Sequence, residues 1–242
     1  MRKPVLHAAF IMLIIATLLL TGCKQADQEE ASANVYSNDV NGEVSLSEKD
    51  GFFSPAVIQN LRQYLQQGVT VREGLKRSGI VGFSDNGSVL TISQVSLDPL
   101  FEWAFEINGK KLGKDNLDTV LQDHDEISIN IQYADPKKDG KDAKAPEFTV
   151  LKLDGGSMKP DMTHSYVFPY TNNQSVRDVM AHSGFVKLTD NKMYVDTVQG
   201  YSPKSVEKWV VKVNGKELVD SGLEMKLTPQ DEVEIRLERA SV

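Results

Sequence analysis

The chain states one pattern twice. The segment 70–79 (TVREGLKRSG) returns 105 residues later as 175–184 (SVRDVMAHSG). The segment 103–110 (WAFEINGK) returns as 209–216 (WVVKVNGK), and 125–129 (DEISI) as 231–235 (DEVEI), both 106 residues on. A near-constant offset over most of a unit marks two copies of one domain. It also lets each motif be checked against its twin. The copies fall at about 42–134 and 147–239, roughly 90 residues each, which is enough for a small core. Residues 23–41 are polar and read as a flexible tether, and 135–146 (DPKKDGKDAKAP) as a linker.

Within each unit a first strand, at 43–46 and 147–153, runs to an Asp-Gly turn at Asp50-Gly51 and Asp154-Gly155. A second strand is expected near 58–65 and 165–170, because Pro169 bars a helix in the second copy. Next comes a helix capped by Thr70 or Ser175, with Glu73 or Asp178 three residues on and Gly79 or Gly184 at its end. Gly74 interrupts the apolar face of the first of these helices, and close approach to the sheet is the expected reason. Short β segments follow at 88–95 and 192–198. Then Trp103, Phe105 and Ile107 alternate on one face of a strand, and Asn108-Gly109 and Asn214-Gly215 supply two-residue type I′ hairpins. Each unit closes on an alternating strand, 126–131 and 232–237. The expected fold class is α+β, with one helix on a mixed sheet in each of two tandem ubiquitin-like, β-grasp units.

The N-terminus and the charge balance set the compartment. Arg2 and Lys3 precede an apolar run of thirteen residues, 8–20. That length makes a signal-peptide core and falls short of the ~20 residues of a spanning helix. Residues 20–23 (LTGC) resemble the lipobox of bacterial lipoproteins. The resemblance implies cleavage between Gly22 and Cys23, a diacylglycerol on the Cys23 sulfur, and a lipid-anchored place on the outer face of the cell membrane. Two acyl chains hold where one binds only marginally. Cys23 is the sole cysteine, so no disulfide forms within the chain. Of the net charge of −7, the first 22 residues contribute +2, leaving −9 for the rest. That balance argues against nucleic acid, whose affinity comes from neutralised phosphates.

The capped S/T-V-x-D/E-x-L helix, the later W-x-x-x-V/I-N-G hairpin and the final L-x-x-x-D-E/x-I/V strand resemble the DUF4430 domain. That family is similar to the C-terminal β-grasp domain of transcobalamin and intrinsic factor. The resemblance covers nearly all of both units and implies extracytoplasmic ligand-binding or interaction modules. Family members usually carry Gly-Asp before the last strand, where this chain has His124-Asp125 and Gln230-Asp231. No counterpart of the corrinoid-binding Asp-x-His-x-x-Gly loop is present, so cobalamin binding is not carried over.

Several constellations are open to two readings. Trp103 and Trp209 could be ligand platforms, but their place ahead of the same hairpin in both copies favours core packing, with the indole N–H finding a partner. Asp123-His124-Asp125-Glu126 looks like a metal or acid–base cluster, yet only its last two residues recur at Asp231-Glu232, as expected of a turn. Asp135 to Gly140 lacks the ligands of a calcium loop at its third and twelfth positions, Lys137 and Pro146. His124, His164 and His182 show no metal-ligand spacing, and no nucleophile elbow or phosphate loop occurs. The reading calls for no cofactor, metal or catalytic residue. Phe52, Phe53, Met158, Tyr194 and Tyr201 differ between the copies. They read first as packing and, if exposed, as a recognition patch. The preferred function is a non-catalytic module that binds an unknown ligand or protein. The alternative is a substrate-capture lipoprotein of a small-molecule importer, with corrinoids one candidate cargo and a pocket expected between the units.

Overall fold

The computed structural model describes residues 34–35, 44–135 and 145–240. The expected signal peptide, Gly22, Cys23, most of the tether and residues 136–144 of the linker lie outside them. The described residues belong to one compact unit. Its architecture is α+β, with three α-helices among the described residues and mixed sheets.

The first copy contains β2 (Ser45–Glu48), α1 (Pro55–Tyr64), α2 (Val71–Arg77), β3 (Val81–Phe83), β4 (Val89–Ile92), β5 (Val95–Leu97), β6 (Phe101–Ile107), β7 (Lys110–Leu112) and β8 (Glu126–Tyr133). The second contains β9 (Phe148–Asp154), β10 (His164–Pro169), α3 (Val176–Ser183), β11 (Val186–Leu188), β12 (Val195–Val198), β13 (Glu207–Val213), β14 (Lys216–Glu217) and β15 (Glu232–Arg239). The ladders repeat with the sequence. Ser45 faces Glu126 in the parallel pair β2–β8, and Val150 faces Glu232 in β9–β15. Trp103 faces Ile131 in the antiparallel pair β6–β8, and Trp209 faces Leu237 in β13–β15.

The side chains that fix these turns repeat as well. Asn108 donates from Nδ2 to Asp125 Oδ1 at 2.7 Å, and the Glu126 N–H donates back to Asn108 Oδ1 at 2.9 Å. Asn214, Asp231 and Glu232 make the same clasp at 2.7 and 2.9 Å. The second oxygen of each aspartate accepts from a backbone N–H three residues upstream, Gln122 or Thr228, at 2.7 Å. Asp125 is thereby committed to backbone order. His124 and Gln230, where the resembled family has glycine, take φ of +63° and +72°. The turn keeps its shape without that glycine.

One expected strand is a helix. Ser54 stands as N-cap in extended backbone and Pro55 opens α1 at its first turn, where a missing N–H costs nothing. Ile58, Leu61 and Leu65 recur on one buried face. Pro169 fixes the second copy as strand, but no proline restrains 58–65, and local pattern prevails. With α1 in that place, β2 has no counterpart of β10 beside it. Its free side is met instead by β1 (Asn34–Val35), a piece of the expected tether, which pairs with Glu48 and Ser47.

The consequence reaches the second copy. β10 pairs on one side with β9 and on the other, in parallel, with β5: Val95, Ser96 and Leu97 face Ser165, Tyr166 and Val167. The two copies therefore share one eight-stranded sheet, ordered β14-β13-β15-β9-β10-β5-β4-β3. The first copy's core also takes in Phe148, Val150 and Val167 from the second. Burying each such valine is worth about 1.5–3 kcal/mol.

Gly74 is explained by α1 rather than by the sheet. A Cβ there would lie 2.7 Å from the Tyr64 carbonyl oxygen and 2.8 Å from Leu65 Cδ2. Val179 occupies the matching place in α3, a helix with no α1 counterpart in its copy. Helix propensity alone makes Gly74→Ala stabilising by about 1 kcal/mol. The close approach reverses the sign: we expect a loss of about 1–3 kcal/mol in urea unfolding. A neutral or stabilised variant would contradict this packing.

Candidate functional site

The two copies place a hollow at the same position, beside the tryptophan that opens the hairpin strand. In the first copy it is lined by Val89, Trp103, Phe105, Leu112 and Leu117 and has a volume of about 100 Å³. In the second it is lined by Val195, Trp209, Val211, Leu218 and Leu223, each 106 residues on, and reaches about 410 Å³. Small-molecule sites start at about 300 Å³, so of the two only the second reaches that size. One exchange and one packing difference account for much of this. Buried Phe105 fills space that Val211 leaves open, and β4 and β5 pack against β6.

The larger cavity carries exposed apolar side chains beside the exposed Lys208 and Glu217 of its lining. Met193, Tyr194 and Val219 keep 43%, 57% and 71% of their surface. Water contact at three large apolar side chains round one hollow is the kind of exposure that marks recognition surfaces. Trp209 forms part of the wall. Tyr201 packs edge-on against it at 6.3 Å, and Lys159 Nζ lies 4.8 Å over the Tyr201 ring. The Tyr201 hydroxyl donates to Glu207 at 2.7 Å, which raises the phenol's pKa. The Lys204 N–H, followed by that hydroxyl, lowers the Glu207 carboxyl's. Both indole N–H groups, of Trp103 and Trp209, are buried with no hydrogen-bond partner among the described residues. The expected partner is therefore missing in both copies. An unmade bond of this kind costs about 1–3 kcal/mol.

The five expected patch residues do not come together. Phe53 is buried and stacks at 5.6 Å on Trp103. Phe52 packs at 6.3 Å from Trp103 and 5.2 Å from Phe148, so both phenylalanines seal the first copy's core. Met158 is half-buried in the loop after β9. Tyr194 lines the cavity and Tyr201 backs its tryptophan. Met193, Val211 and Val219 escaped the sequence reading. The signal was present in the Phe105-to-Val211 exchange, but a smaller side chain announces a cavity only once its surroundings are known. The hollow lies within the second copy, not between the two, where a pocket had been expected.

A second arrangement was also missed. Ser96 Oγ lies 2.7 Å from His164 Nε2, across the β5–β10 junction. A nucleophilic serine needs such a base, and the base needs an orienting partner. Among the described residues no carboxylate pairs with His164, and burial alone lowers its pKa. The pair thus has the geometry of a tie between the copies. Among the described residues no group of three His, Cys, Asp or Glu is placed to hold a metal ion. Nor, among them, is any helix long and apolar enough to cross a membrane.

No protein-family model matches the chain, and no curated protein matches it. Among solved structures it is similar to a Ruminococcus gnavus protein described as "a putative metal binding protein". Identity is 16%, the match covers 39% of this chain and 99% of the other, and the TM-score is 0.32. So slight a likeness carries no argument about this chain.

The His164 tie makes the junction pH-dependent. Folding favours the neutral imidazole, so the unfolded chain binds more protons below its ordinary pKa of 6.5. Stability is full above that pH and declines as pH falls toward the lowered folded value. Thermal melts from pH 7.5 down to 5 should show this decline, reduced in His164→Gln. An equal decline in that variant would remove His164 as the cause.

Proposed function

We propose that this protein is an extracytoplasmic lipoprotein, anchored through Cys23, that binds a partner in the cavity of its second copy and catalyses nothing. In this reading each copy is a β-grasp module of the DUF4430 kind. Support comes from the repeated parallel and antiparallel register around each capped helix. The lipobox-like run 20–23 supports the anchor.

The observation that carries the reading is the unequal pair of hollows. One scaffold position is largely filled in the first copy and open in the second, with large exposed apolar side chains around the opening only there. Apolar surface of this kind lowers solubility and persists where something covers it. The first copy then serves as a folded extension that shares the sheet and the core.

Photo-crosslinking in intact cells tests it on the full chain. A benzophenone side chain placed at Tyr194 or Val219 should give a discrete adduct. One placed at exposed Leu90, in the first copy, should not. Val211→Phe, which copies Phe105, should remove the adducts. Their absence at both sites, or the same adducts from Leu90, would end the reading.

Cys23→Ala addresses the anchor separately. The variant should leave the membrane fraction on lysis while the parent stays in it. An unchanged partition would contradict lipidation.

A further inference from the structure

The wall of the cavity formed by β13 is a strand edge whose ladder stops part-way. Val213 and Lys216 face each other across the two-residue Asn214-Gly215 turn, so their backbone groups point at one another. Alternation turns Val211 and Trp209 the same way. The Leu218 N–H donates to the Val211 carbonyl at 2.8 Å and closes that side's last bond. Residues of the other parity face β15: Asn214 donates to Glu232 and Ala240 to Val206, both at 2.9 Å. Glu207 N–H is taken by Lys204 at 2.8 Å. What remains toward the cavity is the Val211 N–H and both backbone groups of Trp209. Among the described residues no strand pairs with them.

We propose that an extended segment of a partner protein adds to this edge as a further strand, filling the cavity between β13 and the start of β12. The proposal rests on the recognition site read above and names its occupant. A strand presents N–H and C=O groups on one side at a repeat of about 6.8 Å, the spacing of Trp209 and Val211 along β13. A compact small molecule does not offer that alternation. The sheet already accepts such an addition at its far side, where β5 extends β10.

Charge narrows the occupant. Glu238 stands across the ladder from Lys208 but pairs with Lys212 at 3.0 Å. Among the residues whose side chains are described, Lys208 has no carboxylate partner. A strand laid along the free edge would set one side chain directly opposite Lys208, where an acidic residue is favoured. Its apolar residues would meet Met193, Tyr194 and Val219. The expected segment is therefore extended, alternating and apolar, with one acidic residue.

A random-octapeptide display library, selected on the full chain in detergent micelles, tests this. Sequences enriched over the Val211→Phe variant should alternate and carry an acid. N-methylation of the synthetic peptides at alternate residues should weaken binding at least tenfold, and at the intervening residues little. Lys208→Glu, a change at an exposed site, should reverse the charge preference even if Val211→Phe proves poorly folded. Failure to enrich any sequence over both variants would overturn the proposal. So would binders indifferent to N-methylation at every position, or an edge occupied by a second copy in a dimer that Val211→Phe dissolves. Crosslinks from Tyr194 whose mass fits a small molecule would sink the strand and leave the recognition site standing.

Discussion

The parallel ladder between Val95–Leu97 and Ser165–Val167 is the constraint on which the rest of this molecule turns. Two copies of a 90-residue unit would ordinarily fold as beads on a linker, each with its own core. Here one copy has given up its second strand. The helix that replaces it covers the core but offers no edge, while the neighbouring β3–β4–β5 meander needs one. The intact β10 of the other copy supplies it. Phe148, Val150 and Val167 then become shared core, and Ser96 with His164 ties the seam on the sheet face.

That sharing separates the roles of the copies. In the first, the meander is drawn toward the junction and packs against β6, and Phe105 narrows the space that remains. In the second, β11 and β12 form a small sheet of their own, joined among the described residues to no other strand. Val211 does not fill the gap beside Trp209. The same scaffold position is structural in one copy and open in the other. Duplication followed by unequal packing thus gives one compact unit in which only the second copy has a cavity of useful size at this position, without any new element being added.

Much of this was legible in the sequence. The offset carries the register: the capped helices, the Asn-Gly hairpins and the closing strands fall where the repeats put them. The clasp of the Asp125 turn recurs at Asp231, so a twin that lacks His124 keeps the same turn. What misled was the same device pushed too far. Residues 58–65 were assigned from their twin, yet Pro169 constrains only its own copy, and Ile58, Leu61 and Leu65 form a helical stripe. Phe52 and Phe53 looked free because they follow a turn, but the neighbour that buries Phe52 comes from the other copy. The cavity was illegible for a different reason. It consists of missing volume and of backbone groups left over, and neither is written in a side-chain motif.

The central claim is that β13 ends its pairing at Val211 while its inner side stays bound to β15. Residue-resolved amide hydrogen exchange on the full chain tests it most directly. The account predicts fast exchange at Trp209 and Val211 and slow exchange at Val210 and Lys212, an alternation along one strand. Uniform protection across all four would mean that the edge is already covered, and would contradict it.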